Sequence, residues 1–279
     1  MTRRSYLLIT VLAASLLSAS LAAAALNSTL QPINTHFAQT QTQISLDVTA
    51  STFSNVELDE ADNFDGHTVA VELTIPFDVN KQFRLSVPFI TRGDANLKPG
   101  GEHINIDGHG GVFDFATLQF EHQTHVADEA GYNLAYTVGY GNRTAKLDTG
   151  TGDYYNHRGK IILLGMKMDK SIWGDEAQLL VNTGIRYYFD TDDLHPRGID
   201  AWVWADIKGA IVFKPLIWHV RPAIELTYLG GFNDYNLVSL MPELIIQLVE
   251  NVSLKLGGIL GLTSDGNQRG VMGGLSVSL

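Results

Sequence analysis

The sequence predicts an all-β fold, a transmembrane antiparallel up-and-down β-barrel of about twelve strands. Three observations support this prediction. Apolar and polar residues alternate with a period of two along most of the chain, and short links alternate with long ones between these segments. After Ala25, no stretch supplies the about 20 consecutive apolar residues that a membrane-spanning helix requires.

The first 25 residues are typical of a secretory signal peptide. Two arginines precede an apolar run, and small residues follow that offer an A-x-A cleavage site between Ala22 and Ala25. An N-terminal membrane anchor is the alternative, but serines interrupt the apolar run and no charged stop-transfer flank follows it. Cleavage would leave residues 26–279 as one barrel domain. Because this domain has no cysteine, a closed hydrogen-bonded sheet would have to stabilise it.

Period-two segments follow one another from residue 41 to the C terminus. In the first of them Ile44, Leu46 and Val48 alternate with polar residues, as a strand with one apolar face requires. The predicted strands are 41–50, 69–77, 83–89, 112–124, 132–140, 162–168, 179–189, 199–213, 218–228, 235–248, 252–262 and 271–279. An even number of strands would place both chain termini at the periplasmic end.

Two of these segments are weaker than the rest. Alternation is blurred over 112–124, and the segment 235–248 is apolar on both faces, so a helix remains an alternative there. Pro242 argues against an uninterrupted helix, because proline lacks the amide hydrogen and its ring clashes with the preceding turn.

The links between segments differ in length in a regular way. Short links lie near Asn80, Glu129, Gly174, Pro215 and Asn251, whereas the links at 54–66, 92–110, 142–157, 191–198 and 264–269 are longer. Outer-membrane barrels show this asymmetry, with short periplasmic turns and long external loops. A soluble sandwich or lipocalin-like barrel is the alternative, and its apolar face would point inward. The apolar alternation that ends at Leu279 resembles the C-terminal sorting signal of outer-membrane barrels.

The net charge argues against a nucleic-acid partner. Loss of Arg3 and Arg4 with the signal peptide would change the formal charge from −11 to −13, whereas nucleic-acid binders carry basic patches. We expect outer-membrane lipid and lipopolysaccharide, the barrel-assembly machinery and a small-molecule solute as partners.

The segment 75–90, with the sequence IPFDVNKQFRLSVPFI, resembles a hairpin of the putative outer-membrane transporter family named for the MetA pathway of phenol degradation. In that family a similar turn leads into a strand that ends in Val-Pro-aromatic. Residues 111–115, 132–140 and 150–153 lie roughly where the family has a glycine-aspartate element, a strand and a glycine-rich loop. The resemblance covers about residues 69–190 and implies an outer-membrane transporter fold.

If the apolar faces meet lipid, the complementary positions point into the lumen. These candidate lumen residues are Glu72, Arg84, Lys167, Arg186, Asp206, Lys208, His219, Arg221, Glu225 and Lys255. Charges of both signs are ordinary in a watered or tightly paired lumen. Two interpretations follow: solute passage along these residues, or mutual pairing that fills a narrow barrel. Trp202 and Trp204 share the predicted lumen face, and the family resemblance suggests that they could stack on an apolar solute.

The sequence offers no catalytic or metal-binding pattern that would support an enzyme. It contains no nucleophile elbow, zinc-protease motif or phosphate-binding loop. Ser86 and His219 are residue types that a hydrolase could use, but no sequence motif relates them. His122 and His125 are three apart on a predicted strand and so face opposite ways. The acidic run at 57–65 lacks calcium-loop spacing. We therefore expect no catalytic residue, no metal site and no cofactor.

The expected protein is an outer-membrane pore or transporter that passes small solutes, hydrophobic or aromatic ones among them, by passive diffusion. The alternative is a structural or surface-interaction barrel whose lumen is plugged by charges and whose acidic loops bind envelope partners.

Overall fold

A computed structural model describes residues 28–58, 61–97, 103–107, 115–148, 154–191, 201–217, 219–231, 236–263 and 269–279. The predicted signal peptide at 1–25, the glycine-rich segment at 150–153 and most of the segment at 111–115 lie outside this part of the chain. Within it, no helix is long and apolar enough to cross a membrane.

The described residues form thirteen strands and two short helical turns. A 3₁₀ turn spans Ser28–Leu30, and helix α1 spans Ala127–Ala130. The strands are β1 Ser45–Leu58, β2 Ala61–Asp78, β3 Lys81–Leu97, β4 His103–Asp107, β5 Ala116–His125, β6 Asn133–Asp148, β7 Tyr154–Ile172, β8 Ala177–Phe189, β9 Trp202–Phe213, β10 Val220–Gly230, β11 Asn236–Val249, β12 Val252–Gly261 and β13 Arg269–Ser278.

Twelve of these strands close into an antiparallel barrel. Each pairs with its neighbours in chain order, and β1 pairs with both β2 and β13, with Leu46 opposite Val277. Strand β3 pairs with β5 over residues 81–86, and β4 pairs with the far end of β3 at residues 92–96. The prediction of an up-and-down barrel is confirmed, and β4 extends the wall beyond the closed ring.

The outer face of the barrel is apolar because the side chains alternate across the wall. In β6, Tyr136, Val138 and Tyr140 are exposed, while Ala135, Gly139 and Gly141 at alternate positions are buried. The exposed apolar side chains of the other strands follow the same alternation, so they lie on the outside of the ring. A soluble barrel would bury this face, and that alternative is wrong for this protein.

Aromatic rings flank the apolar belt at both ends. At the end with the short turns, Phe77 stacks on Phe83 at 4.8 Å, and Phe120 lies 5.7 Å from Phe83. At the end with the long links, Tyr187 stacks on Phe189 at 5.6 Å. Such girdles are typical of the two membrane interfaces of an outer-membrane barrel.

The structure corrects the predicted elements at several places. Residues 41–44 precede the first strand, and residues 54–58, 61–66, 142–148 and 154–157 are strand where long links were expected. Residues 92–97 and 103–107 are strand where a loop was expected, because strands beyond the lipid belt need no apolar alternation. The link after β5 contains helix α1. The apolar segment near 235–248 is strand β11, so the strand prediction is confirmed there and the helix alternative is wrong. Its register with β12 is unbroken from Leu240 to Glu243, but the ladder has a gap that contains Pro242, which has no amide hydrogen to donate.

Candidate functional site in the barrel lumen

The chain before the first strand folds into the barrel. Leu30, Phe37 and Ala38 are buried, and Leu30 and Phe37 pack in one cluster with inward-facing residues of β8 to β11, among them Leu180 and Ile245. We call residues 29–41 the N-terminal plug. It occupies the lumen, belongs to no strand and, apart from the 3₁₀ turn at Ser28–Leu30, has no regular secondary structure.

Carboxylates of the wall bind the backbone of the plug. Glu225 accepts hydrogen bonds from the amides of Thr35 at 2.7 Å and Asn34 at 3.1 Å, and Asp169 accepts one from Ala38 at 2.7 Å. Glu243 accepts a hydrogen bond from the amide of Ile33 at 3.3 Å. A buried segment outside the sheet needs other partners for its amides, and these side chains supply them.

Side-chain amides continue this binding around the ring. Asn182 accepts from the amide of His36 at 2.8 Å and donates to its carbonyl at 2.9 Å. Gln123 accepts from Thr40 at 2.8 Å. Gln82, beside a short turn, accepts from the amide of residue 41 at 2.9 Å. The plug therefore contacts strands around the lumen and ends at the short-turn end.

An ion network adjoins the plug. Arg84 lies 3.2 Å from both Glu72 and Glu121, and Lys167 also pairs with Glu121. His36 of the plug lies 3.1 Å from the carboxylate of Glu72. Because Arg84 and Glu121 are almost inaccessible to solvent, these charges depend on each other rather than on water.

His36 is the titratable group that the plug brings to this network. Burial, and after it the positive charge of Arg84, lowers the pKa of His36 to about 4, although Glu72 acts in the opposite direction. The imidazole is therefore neutral near pH 7, where one ring nitrogen donates to Glu72.

A second ion pair lies on the other side of the lumen. Lys255 contacts Asp47 at 3.1 Å, and the hydroxyl of Ser276 donates to the same carboxylate oxygen. Strands β12, β1 and β13 supply these residues, which are adjacent only because β1 closes the barrel against β13.

A third charged group lies on β8 and β9. Arg186 donates two hydrogen bonds to one oxygen of Asp206, at 2.8 and 2.6 Å. The ammonium nitrogen of Lys208 lies 3.9 Å from that oxygen, which is beyond hydrogen-bond distance.

An aromatic cluster borders this group on the side of the long links. Tyr188 is 4.8 Å from Trp202 and 5.1 Å from Trp204, and Phe115 packs on Tyr188 at 5.5 Å. Trp202 and Trp204 are partly buried against these rings and Ile161. The two tryptophans thus pack on protein side chains within the lumen.

A cavity of about 380 Å³ extends from the plug to Phe115 and Ile161. Seven of the predicted lumen residues line it: Glu72, Arg84, Lys167, Arg186, Asp206, Lys208 and Lys255. Ser86 lines it too. Glu225 is fully buried beneath the plug, and Arg221 is partly buried at the start of β10.

His219 does not occupy the predicted lumen position. It is exposed in the turn between β9 and β10, because β10 begins one residue later, at Val220. The residues that sequence reasoning missed are those that bind the plug, which are Gln82, Gln123, Asp169, Asn182 and Glu243, and two carboxylates of the ion networks, Asp47 and Glu121. Their signal was present, since each is a polar residue on the inward face of a strand.

No family model matches the sequence, and no curated protein matches it. Solved structures do. An outer membrane channel of the COG4313 group from Pseudomonas putida F1 superposes with a TM-score of 0.62 at 12% identity, covering 93% of this chain and 100% of that one. The NanC porin gives 0.54 at 9% identity, covering 84% and 98%. The translocator domain of the autotransporter NalP from Neisseria meningitidis gives 0.52 at 11% identity, covering 85% and 89%.

The fold is that of bacterial outer-membrane barrels. Together with the apolar outer face and its aromatic girdles, this likeness assigns the protein to the outer membrane. At these identities the likeness concerns the fold alone. The similar structures include both channels and a translocator domain. Function has to be argued from the lumen.

Proposed function

We propose that the protein is an outer-membrane channel that passes small solutes, hydrophobic or aromatic ones among them, by passive diffusion. The observation that carries this proposal is the cavity inside the barrel, which is lined on one side by charged residues and on another by Phe115, Ile161 and Leu163. Its volume of about 380 Å³ lies within the range of small-molecule sites, about 300–1,000 Å³.

Movement of the N-terminal plug would open the route. The plug is held by side chains of the wall and shares no ladder with a strand, so it can leave while every pair of neighbouring strands stays intact. An amphipathic lumen above it suits solutes that combine an apolar body with a polar group.

Planar-bilayer conductance of the refolded protein tests this proposal, and the absence of cysteine allows a clean lock on the plug. The side chains of Asn34 in the plug and Met241 in the wall approach to 3.9 Å. We expect discrete conductance steps from the double variant Asn34→Cys/Met241→Cys, and their loss after cross-linking with a short thiol-specific reagent. Each single-cysteine variant, treated in the same way, is the control. Steps that persist in the cross-linked protein would disprove plug movement.

A second candidate is a structural or surface-interaction barrel with a plugged lumen. The observation that favours it is the depth of the packing, since the plug and the Arg84–Glu121 network bury charged groups almost completely. This candidate requires that the protein stays silent in bilayers before cross-linking, and that variants which weaken the plug stay silent too.

The surroundings of the barrel follow from its surface. We propose that outer-membrane lipid and lipopolysaccharide contact the apolar belt and its rim, and that the barrel-assembly machinery inserts the chain. The relationship to the family named for the MetA pathway of phenol degradation stays a prediction from the segment 75–90.

A further inference from the structure

Lys208 presents a charged amine to the cavity without a hydrogen-bond partner among the described residues. Its nearest carboxylate oxygen, on Asp206, is 3.9 Å away and already accepts two hydrogen bonds from Arg186. The side chain of Lys208 is 26% exposed, and it lines the cavity. An ammonium group has three donors, so an acceptor that entered the cavity could bind here without displacing a partner.

The strand register places a gap beside this amine. Gly184 lies opposite Asp206 on β9 and opposite Gly165 on β7, and both glycines line the cavity. Lys208 is two residues from Asp206 in one direction along the wall, and Arg186 is two residues from Gly184 in the other. Neighbours on one face are about 6.6 Å apart along a strand, so the two cations flank a row in which β7 and β8 lack side chains and β9 carries Asp206.

The remaining carboxylates of the cavity wall have cations of their own. Asp47 pairs with Lys255 at 3.1 Å, and Glu72 lies 3.2 Å from Arg84. The wall carboxylates beneath the plug accept hydrogen bonds from its backbone amides. Among the described cations that line the cavity, Lys208 is the one that no carboxylate approaches within hydrogen-bond distance. The chain as a whole is nevertheless strongly acidic.

The apolar part of the cavity adjoins the same row. Leu163 lies opposite Arg186, and Ile161 lies opposite Tyr188 in the next row towards the long links. Phe115 packs on that tyrosine and lines the cavity together with Leu163 and Ile161. A ligand in this space would meet Lys208 and the Arg186–Asp206 pair at one end and an apolar surface at the other.

We infer that the lumen contains a binding site for a small organic monocarboxylate. The carboxylate binds the ammonium group of Lys208 above the two glycines, beside the Arg186–Asp206 pair, and the apolar body packs against Phe115, Ile161 and Leu163. This inference rests on the proposed channel function and names the solute class that the channel selects.

Equilibrium binding to the full-length mature protein in detergent tests the site independently of transport. The probes are benzoate and benzamide, which share size and shape but differ in charge. We expect saturable binding of benzoate, with an affinity at least about tenfold higher than for benzamide, because a charged hydrogen bond is lost with the neutral amide. Lys208→Met is expected to abolish this preference, and Lys208→Arg to retain it.

Lys214→Met is the matched control. Lys214 also neighbours a carboxylate, Glu176 at 2.9 Å, but lies exposed at a short turn. The Lys214→Met variant should bind benzoate as the unaltered protein does. Heat-modifiable migration on gels should verify that every variant is folded. Equal binding of the two probes, or a preference that survives Lys208→Met in folded protein, would overturn the site.

Swelling of proteoliposomes in benzoate and in benzamide separates this inference from the channel proposal. Entry of both solutes at equal rates would leave the channel standing and refute the carboxylate site. Selective binding in detergent without entry of either solute would support the site and refute passage.

Discussion

The carboxylate of Glu225 accepts a 2.7 Å hydrogen bond from the backbone amide of Thr35, although 190 residues separate the two in sequence. The same carboxylate also binds the amide of Asn34. One side chain of the wall thus fixes two consecutive amides of the plug, neither of which pairs with a strand. The closed state of the lumen depends on such contacts rather than on the sheet.

Replacing this carboxylate should release the plug. Glu225→Ala leaves the buried amide of Thr35 and the partly buried amide of Asn34 without this acceptor, at a cost of about 1–3 kcal/mol for the buried one. We expect more frequent conductance steps in planar bilayers and faster cleavage of the plug by protease in folded barrels. Glu176→Ala removes an exposed turn carboxylate and should change neither. A plug that stays protected in Glu225→Ala would mean that the other acceptors suffice.

Arg84 is the residue whose loss should damage the barrel most among the charged residues of the lumen. Arg84→Met leaves Glu72 and Glu121 without their shared cation in a buried site, and breaking a buried pair in this way costs about 3–5 kcal/mol. Urea unfolding followed by gel mobility should show a lower midpoint.

Lys160→Met is the control variant for Arg84→Met. Lys160 pairs with Asp190 as well, but both side chains are largely exposed. Exposed pairs contribute little, so we expect an unchanged midpoint. Equal losses in the two variants would show that the network around Arg84 is not a stabilising unit.

Acid should loosen the plug through His36. The pKa of this imidazole is about 4 in the docked plug and 6.5 when it is released into water, and burial is the main cause of the difference. Docking is therefore strongest above pH 6.5 and weakens as the pH falls from 6.5 towards 4, by up to about tenfold per pH unit. Conductance recorded at pH 7.5, 6.5 and 5.5 should rise accordingly.

A variant without a titratable group at this position isolates the effect. His36→Gln keeps a polar side chain beside Glu72 but cannot gain a proton, so its conductance should depend less on pH over this interval. An identical rise in the unaltered protein and in His36→Gln would assign the acid response to wall carboxylates instead.

Period-two patterning was enough to predict the wall of the barrel. In the hairpin of β2 and β3, Val71 faces Val87 and Leu73 faces Leu85, which is the pairing that two apolar stripes and a short turn require. The wall could be predicted because lipid imposes one rule on every outward position.

The lumen could not be predicted in the same way. Asp47 meets Lys255 because ring closure brings β1 and β12 to either side of β13, and no local pattern encodes that partner. The plug has no period at all, since its amides are bound by side chains from six strands, β3, β5, β7, β8, β10 and β11. Its sequence therefore looks like an ordinary leader to the first strand.

Gly184 provides a last test, of the wall beside the cavity. A Cβ atom at this position would lie 2.6 Å from the backbone carbonyl oxygen of Leu164, so Gly184→Ala forces the paired strands β7 and β8 to shift. We expect a smaller fraction of heat-modifiable, folded protein. At Gly258 on β12 an added Cβ meets nothing within 4 Å, and Gly258→Ala should fold normally. Normal folding of Gly184→Ala would mean that the wall can separate locally, and the rigid gap between Lys208 and Arg186 would then lose its structural basis.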